Sequence, residues 1–205
     1  GRLVYIFGTG HSHMLAEELF YRAGGLARVV PMLHPPLMLH ESASTSTQAE
    51  RDPDVVGELL KQYPMTGGDV LVVASNSGRN ACPVELAMVA KERSVRTIAV
   101  LNSEHSAKWA SRHPSGKRLG DVVDLVIDNC GVEGDACVSL PGSDLSVGAA
   151  STVTGCVIMQ MIACRATEML YVAGTPPDLY QSSNADHDER NAALIAEHKQ
   201  TNPHL

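Results

Sequence analysis

Short apolar runs alternate with longer amphipathic segments along most of the chain. The segments at 13–25, 52–63 and 81–94 have the spacing of helices, and each lies between two apolar runs. Strands that read as continuous Val- and Ile-rich runs between helices are typical of a parallel sheet covered on both faces. The pattern predicts an α/β three-layer sandwich whose strands are LVYIFG (3–8), ARVVPML (27–33), DVLVVAS (69–75), VRTIAVLNS (95–103) and DVVDLVID (121–128).

The longest apolar segment spans residues 148–174. Gln160, Arg165 and Glu168 interrupt it, so the roughly 20 clean apolar residues that a membrane span needs are not present. We predict a buried helix, at the core or at a subunit interface, and no membrane association.

Composition fits one globular domain over residues 1–205, with 44% hydrophobic and 19% charged residues. The net charge of -7 argues against nucleic-acid binding. The chain has an odd number of cysteines and no CxxC pair, which favours reduced thiols in the cytoplasm (Cys82, Cys130, Cys137, Cys156, Cys164). Because the chain starts without Met and almost directly with a strand, we expect an N-terminal helix to precede it.

The segments that directly follow four of the predicted strands, here called strand exits, are polar. They read GTGHSH (8–13), HPPLMLHESAST (34–45), SNSGRN (75–80) and NSEHS (102–106). Ser, Asn and Gly are also ordinary turn residues, so each loop alone is compatible with a simple turn. However, ligands of open parallel sheets collect at the carboxyl ends of the strands. Two Ser-bearing turns at that edge, each opening a helix, favour a phosphate cradle.

The predicted ligand-binding residues come from three segments. Backbone amides, hydroxyls and carboxamides next to a flexible glycine are the groups that suit a phosphate. Ser151 and Thr152 provide a third such group near the start of the long apolar helix. The other predicted substrate-binding residues are Gly10, His11, Ser12, Ser75, Asn76, Ser77, Gly78 and Asn80.

A nucleotide cofactor and a metal are both disfavoured. In GTGHSH the third glycine of GxGxxG would fall at His13, and no P-loop lysine follows. His11 and His13 form an HxH pair with no acidic partner at a recognisable spacing, so they could instead contact sugar hydroxyls or cap a helix. We therefore predict no cofactor and no metal ligand.

Several motifs together resemble the SIS (sugar isomerase) domain family: FGTGHSHMLAEELFYRAGGLA, LMLHESA, SNSGRNACPVELA, EHS, SRHPSGKRL and SSNADHDERN. The resemblance covers nearly the whole chain and implies a flavodoxin-like fold with five parallel strands. It also implies a phosphosugar ligand and a homodimer with shared sites. The chain is similar to a bacterial subgroup that resembles N-acetylglucosamine-6-phosphate dehydratase. It departs from that subgroup in lacking the leading helix and in the shorter NADHDERN (184–191).

The resemblance implies a lyase that removes water from an N-acetylhexosamine 6-phosphate after proton abstraction at C2. Glu41 is the predicted base, by analogy with a glutamate after the second strand in the related etherases, and His40 is the predicted acid. The alternatives are a solvated Glu41 and a structural His40, an aldose-ketose isomerase, or a sensor without turnover. His105, the Arg112–Arg118 loop, Asn184 and Glu189 are further polar groups without an assigned role.

Overall fold

The computed structural model describes residues 2–205, and its centre is a five-stranded parallel sheet. The strands are β1 (Val4–Gly8), β2 (Val29–Met32), β3 (Val70–Ala74), β4 (Arg96–Leu101) and β5 (Leu125–Asp128), in the spatial order β2-β1-β3-β4-β5. This is the flavodoxin-like order. The predicted α/β fold with five parallel strands is confirmed.

Eight α-helices connect and cover the strands. They are α1 (Met14–Leu19), α2 (Ala43–Ala49), α3 (Val55–Gln62), α4 (Ala81–Glu92), α5 (Ser103–Lys108), α6 (Leu119–Val122), α7 (Ser151–Val172) and α8 (Asp188–His198) among the described residues. A two-stranded antiparallel hairpin, β6 (Ala136–Ser139) with β7 (Ser146–Ala149), precedes α7. The apolar pattern predicted neither this hairpin nor the short helices α2, α5 and α6.

The core has two parts, one on each face of the sheet. Phe7 and Val73 point to the face where side chains of α3 and α4, including Leu59 and Leu86, are fully buried. On the other face, Ile6, Val72 and Val100 pack with Leu15 and Met159 from α1 and α7. Because successive side chains of a strand point to opposite faces, strands that are apolar at every position require this double cover.

Helix α7 is correctly predicted as a helix, but its burial in a core is wrong for most of its length. Only Gly155 and Met159 are buried, where the helix packs closely against Leu15 of α1. The exposed side includes Val153 and Val157, which are 66% and 56% exposed. A single chain has no second layer to cover this side, so the alternative of a subunit interface stays a prediction.

Helix α7 also meets the length and composition of a membrane span. Only 11% of its most apolar stretch is buried. Soluble core helices meet the same criteria. Within the described residues, Gln160 donates a 3.0 Å hydrogen bond to Glu18 of α1, so one face of α7 packs on the sheet domain.

The first turn of the fold leaves no room for a side chain at Gly8. A Cβ at this position would overlap the Ser12 carbonyl group and lie 2.8 Å from the His13 nitrogen. The chain reverses here from the end of β1 into the 3-10 turn Gly10–His13, and Gly10 has a φ of 55°. Gly8 and Gly10 therefore allow the tight turn that places Ser12 above the carboxyl edge of the sheet.

Replacing Gly8 by Ala is expected to destabilise the fold, and Gly57→Ala provides the matched control. A Cβ at Gly57, inside α3, meets nothing within 4 Å. We expect Gly8→Ala to lower the free energy of unfolding by at least about 2 kcal/mol through overpacking against backbone. Gly57→Ala should raise it by about 0.5–1 kcal/mol through helix propensity. Urea unfolding followed by circular dichroism measures both, and equal stabilities would contradict this account of the turn.

Candidate functional site

Residues from five parts of the chain line one depression at the carboxyl edge of the sheet. They come from the turn after β1 with the start of α1, from the end of β3 with the loop after it, from β4, from the segment after β5 and from the start of α7. The lining residues are Ser12, Leu15, Ala74, Ser75, Asn76, Val100, Asn129, Ser151 and Thr152. The structure thus brings together five of the ten predicted ligand-binding residues, namely Ser12, Ser75, Asn76, Ser151 and Thr152. The other five, which are Gly10, His11, Ser77, Gly78 and Asn80, are not among the lining residues.

The loop after β3 is folded so that its backbone turns sharply before α4. The Ser75 hydroxyl accepts a 3.2 Å hydrogen bond from the Gly78 amide. Gly78 has a φ of 58°, and a Cβ there would lie 3.1 Å from the Ser106 hydroxyl oxygen. Ser77 is half-buried. Within residues 2–205, the Ser77 hydroxyl makes no hydrogen bond, so it is available to a ligand.

Three asparagines connect the exits of β3, β4 and β5. The Asn129 side-chain amide donates a 2.8 Å hydrogen bond to the Asn76 side-chain oxygen. The Asn102 backbone amide donates to the Asn76 carbonyl, and the Asn102 side chain accepts from the His105 amide. Asn102 and Asn129 are both buried. This network fixes the Asn76 side chain at the cavity wall, and sequence reasoning missed Asn129 because its strand end carried no Ser or Gly motif.

Glu50 links the turn after β1 to the loop after β3. Its carboxylate accepts 2.8 Å and 2.7 Å hydrogen bonds from the Thr9 hydroxyl and the Asn80 side-chain amide, and its carbonyl accepts from the Cys82 amide. Glu50 follows α2 and is half-buried. Sequence reasoning missed it because it lies well beyond the exit of β2, in a stretch that reads as polar surface.

Three arginines lie beside the loop after β3. Arg112 donates a 2.7 Å hydrogen bond to the Asn80 side-chain oxygen. Burial lowers the pKa of Arg112, and the nearby positive charges of Arg79 and Arg51 lower it further, while Glu50 raises it. Cations that disfavour one another in this way favour an anion. Arg112, at the start of the 112–118 loop, therefore places a positive charge next to the SNSGRN loop of the same chain.

The start of α7 already holds a carboxylate. Asp135 accepts hydrogen bonds from the Ser151 amide at 2.7 Å, the Ser151 hydroxyl at 2.7 Å and the Ala150 amide at 3.1 Å. Asp135 has a φ of 72°, in the left-handed region. A negative group at a helix N-terminus is stabilising, so Asp135 occupies the position that the sequence offered to a phosphate. Thr152 still lines the cavity.

The predicted catalytic pair lies outside the cavity lining. His40 and Glu41 lie between β2 and α2, with side chains 69% and 57% exposed, and His40 Nε2 is 3.5 Å from Glu41 Oε1. Ser42 caps α2 by accepting a hydrogen bond from the Thr45 amide. The two residues lie after β2, at the same edge of the sheet as the cavity, but within the described residues no side-chain hydrogen bond or ion pair joins them to its lining residues. Their roles stay predictions.

The remaining predicted residues take varied positions. His11 is exposed in the turn after β1, and the His13 ring hydrogen-bonds the Gly10 carbonyl. Asn80 is buried, with its side chain between Glu50 and Arg112 rather than open to a ligand. Asn184 and Glu189 are exposed in the tail.

Comparisons with known proteins identify the family. Residues 1–102 match the SIS domain family. A UPF0309 protein of Listeria innocua is 43% identical over 204 residues, which cover 99% of this chain and 83% of the relative. A UPF0309 protein of Thermoanaerobacter pseudethanolicus is 41% identical over 204 residues, 98% of this chain and 83% of the relative. Among solved structures, a phosphoheptose isomerase from Francisella tularensis has a TM-score of 0.46 at 15% identity, covering 80% of this chain and 74% of that one. The chain therefore belongs to the UPF0309 family of SIS-domain proteins.

Proposed function

We propose that this protein binds a phosphorylated sugar at the carboxyl edge of its sheet and catalyses proton transfer at the sugar's C2. The observation that carries the proposal is the cavity lined by Ser12, Ser75, Asn76 and Thr152. Hydroxyls and carboxamides can both donate to and accept from the hydroxyls and phosphate of a sugar phosphate. Membership of the SIS domain family supports this ligand class.

The phosphate is assigned to the loop after β3. The Ser77 hydroxyl is available there, Gly78 allows close approach of the backbone, and α4 begins at Ala81 with its positive dipole end facing the loop. The charges of Arg79 and Arg112 add long-range attraction in a chain whose net charge is -7. Because Asp135 already occupies the amino end of α7, we assign this end of the cavity to the sugar ring rather than to the phosphate.

The reaction we favour is elimination of water from an N-acetylhexosamine 6-phosphate. Glu41 takes the C2 proton of the opened sugar, the electron pair of that C–H bond forms the C2–C3 double bond, and the C3 hydroxyl leaves as water with a proton from His40. Glu41 Oε1 and His40 Nε2 lie 3.5 Å apart, and a small movement of these exposed side chains would bring them within hydrogen-bond distance. Support for elimination comes from the subgroup that the sequence resembles. Return of the proton to C1 would instead make the protein an isomerase.

Glu50 has a different role in this proposal, because its two carboxylate oxygens are already engaged by Thr9 and Asn80. It is a positioning residue that holds the two ligand-binding turns together. Losing its charge loosens these turns and weakens substrate binding more than the chemical step.

We further propose a homodimer that covers the exposed side of α7. Val153, Val157 and Met161 repeat every four residues and are 66%, 56% and 66% exposed, so they form one apolar stripe. The stripe begins directly after Thr152, which lines the cavity. A second copy on this stripe therefore borders the cavity and excludes water from it.

Ser77→Ala should weaken phosphosugar binding by about tenfold or more, since a hydrogen bond to a charged group contributes about 1.5–3 kcal/mol. Isothermal titration with N-acetylglucosamine 6-phosphate measures the change. Ser94→Ala is the control, because Ser94 is exposed and follows the far end of α4. An unchanged Kd for Ser77→Ala would show that the phosphate does not bind at this loop.

Glu41→Gln and Glu50→Gln should separate catalysis from positioning. With N-acetylglucosamine 6-phosphate, we expect the wild type to form an unsaturated product one water lighter, visible by ultraviolet absorption and mass spectrometry. Glu41→Gln should lower kcat by about a hundredfold or more with little change in binding. Glu50→Gln should mainly raise KM, and Glu92→Gln, exposed at the far end of α4, should behave as the wild type.

The products decide the reaction. A ketose phosphate of unchanged mass as the product would show that the protein is an isomerase and not a lyase. Tight binding without any product would instead favour a phosphosugar sensor. Full activity in Glu41→Gln would remove Glu41 as the base.

Val157→Glu should convert the dimer into a monomer, because an unpaired charge would be buried at the centre of the α7 stripe. Size-exclusion chromatography with light scattering measures the mass. Val132→Glu alters an exposed valine outside α7 and should leave the dimer intact. A wild-type protein that is monomeric at high concentration would contradict the interface.

A further inference from the structure

A group of metal-ligating side chains lies where α8 ends. Asp178, in the segment between α7 and α8, meets Glu197 and His198 from the last turn of α8. One ligand atom of each residue lies within 4.8 Å of the ligand atoms of the other two. The group therefore offers two carboxylates and one imidazole from segments about twenty residues apart in the chain.

His198 shows that this group is incomplete as it stands. The residue is only 4% exposed, and its Nε2 is buried without a hydrogen-bond partner among the described residues. The nearest carboxylate oxygen, Glu197 Oε1, is 3.9 Å away, which is too far for a hydrogen bond. A buried polar atom without a partner is costly, so a group that binds this nitrogen would be stabilised by removing that cost. An imidazole nitrogen beside two carboxylates is a set of ligand atoms that suits a cation.

We propose that Asp178, Glu197 and His198 bind a divalent transition-metal ion of the zinc type. Imidazole nitrogen with carboxylate oxygens is a donor set for Zn²⁺ and its neighbours, whereas Mg²⁺ and Ca²⁺ prefer oxygen alone. Tetrahedral zinc with bonds of about 2.1 Å places its ligands about 3.4 Å apart, so the side chains close in by about an ångström on binding. Glu197 is exposed and can move.

One cation already competes for Glu197. Arg28 Nη2 is 3.9 Å from Glu197 Oε1, and both side chains are substantially exposed. An exposed ion pair at this distance is weak, so metal binding displaces it at small cost.

The metal site lies away from the sugar cavity. The Asp178 carbonyl accepts a 2.9 Å hydrogen bond from the Ala27 amide, and the Asn202 side chain donates to the Val29 carbonyl just after α8. Both contacts are at the amino end of β2, the edge of the sheet opposite to the cavity. The ion thus fastens α8 to the segment that follows α7, and takes no part in the sugar chemistry. A metal site at these residues departs from the sequence-based expectation that the chain has no metal ligand.

Titration of the chelator-treated chain with Zn²⁺ tests the site. We expect one class of binding site by calorimetry, a rise in Tm with zinc concentration, and a shift of the His198 Nε2 resonance in long-range ¹⁵N spectra of the imidazoles. Asp178→Asn keeps the side-chain shape and should raise the Kd for zinc at least tenfold. His198→Gln should abolish binding. His187→Gln, an exposed histidine between Asp186 and Asp188, is the matched control and should bind as the wild type does.

Three results would overturn the proposal. These are no zinc binding by the wild type, equal binding by wild type and Asp178→Asn, or a loss of binding in His187→Gln as large as in His198→Gln. If His198→Gln does not fold, Asp178→Asn and Glu197→Gln still decide the matter, because both sites are at least partly exposed and circular dichroism reports their folding.

Discussion

The parallel pairing of β1 with β3 is the constraint on which the rest of the site depends. Gly8 is aligned with Ala74, so both strands end at the same level. The GTGHS turn and the SNSGRN loop therefore begin side by side, although more than sixty residues separate them. A shift of the register by one residue would turn the buried faces of the strands outward, so the two cores hold this alignment. The absence of a side chain at Gly8 lets the first turn fold back tightly over the edge.

Polar contacts then convert adjacent loops into a rigid site. Glu50 ties Thr9 to Asn80, Arg112 binds the other end of the Asn80 carboxamide, and Asn129 holds Asn76. Thr9, Asn80 and Asn129 are buried and Glu50 and Asn76 are half-buried, whereas Arg112 reaches Asn80 from an exposed position. The arginines beside the loop after β3 give this acidic protein a local positive field. Asp135 has the opposite effect at the start of α7, where it neutralises the helix end.

The two edges of the sheet have different properties. The carboxyl edge gathers hydroxyls, carboxamides and guanidinium groups around a cavity, because helices begin there. The amino edge of β2 gathers Asp178, Glu197 and His198, because α8 ends there. Between them, the apolar stripe of α7 stays open in the single chain. The stripe begins next to Thr152, which lines the cavity. The proposed dimer and the proposed ligand site are therefore adjacent, which is the physical basis for proposing them together.

The amino-acid sequence by itself determined the sheet and the edge at which its polar loops gather. Continuous apolar runs can be buried only in a covered parallel sheet, and polar strand exits must then meet at one edge; this predicted Ser12, Ser75 and Asn76 as neighbours. Only the tertiary structure decided which distant side chains contact the loops that carry these residues. Glu50 is 41 residues from Thr9, and Arg112 is 32 residues from Asn80. It also decided that α7 is largely exposed and that Asp135 occupies its start. No local pattern encodes such contacts, since they arise only when loops of different length return to the same edge.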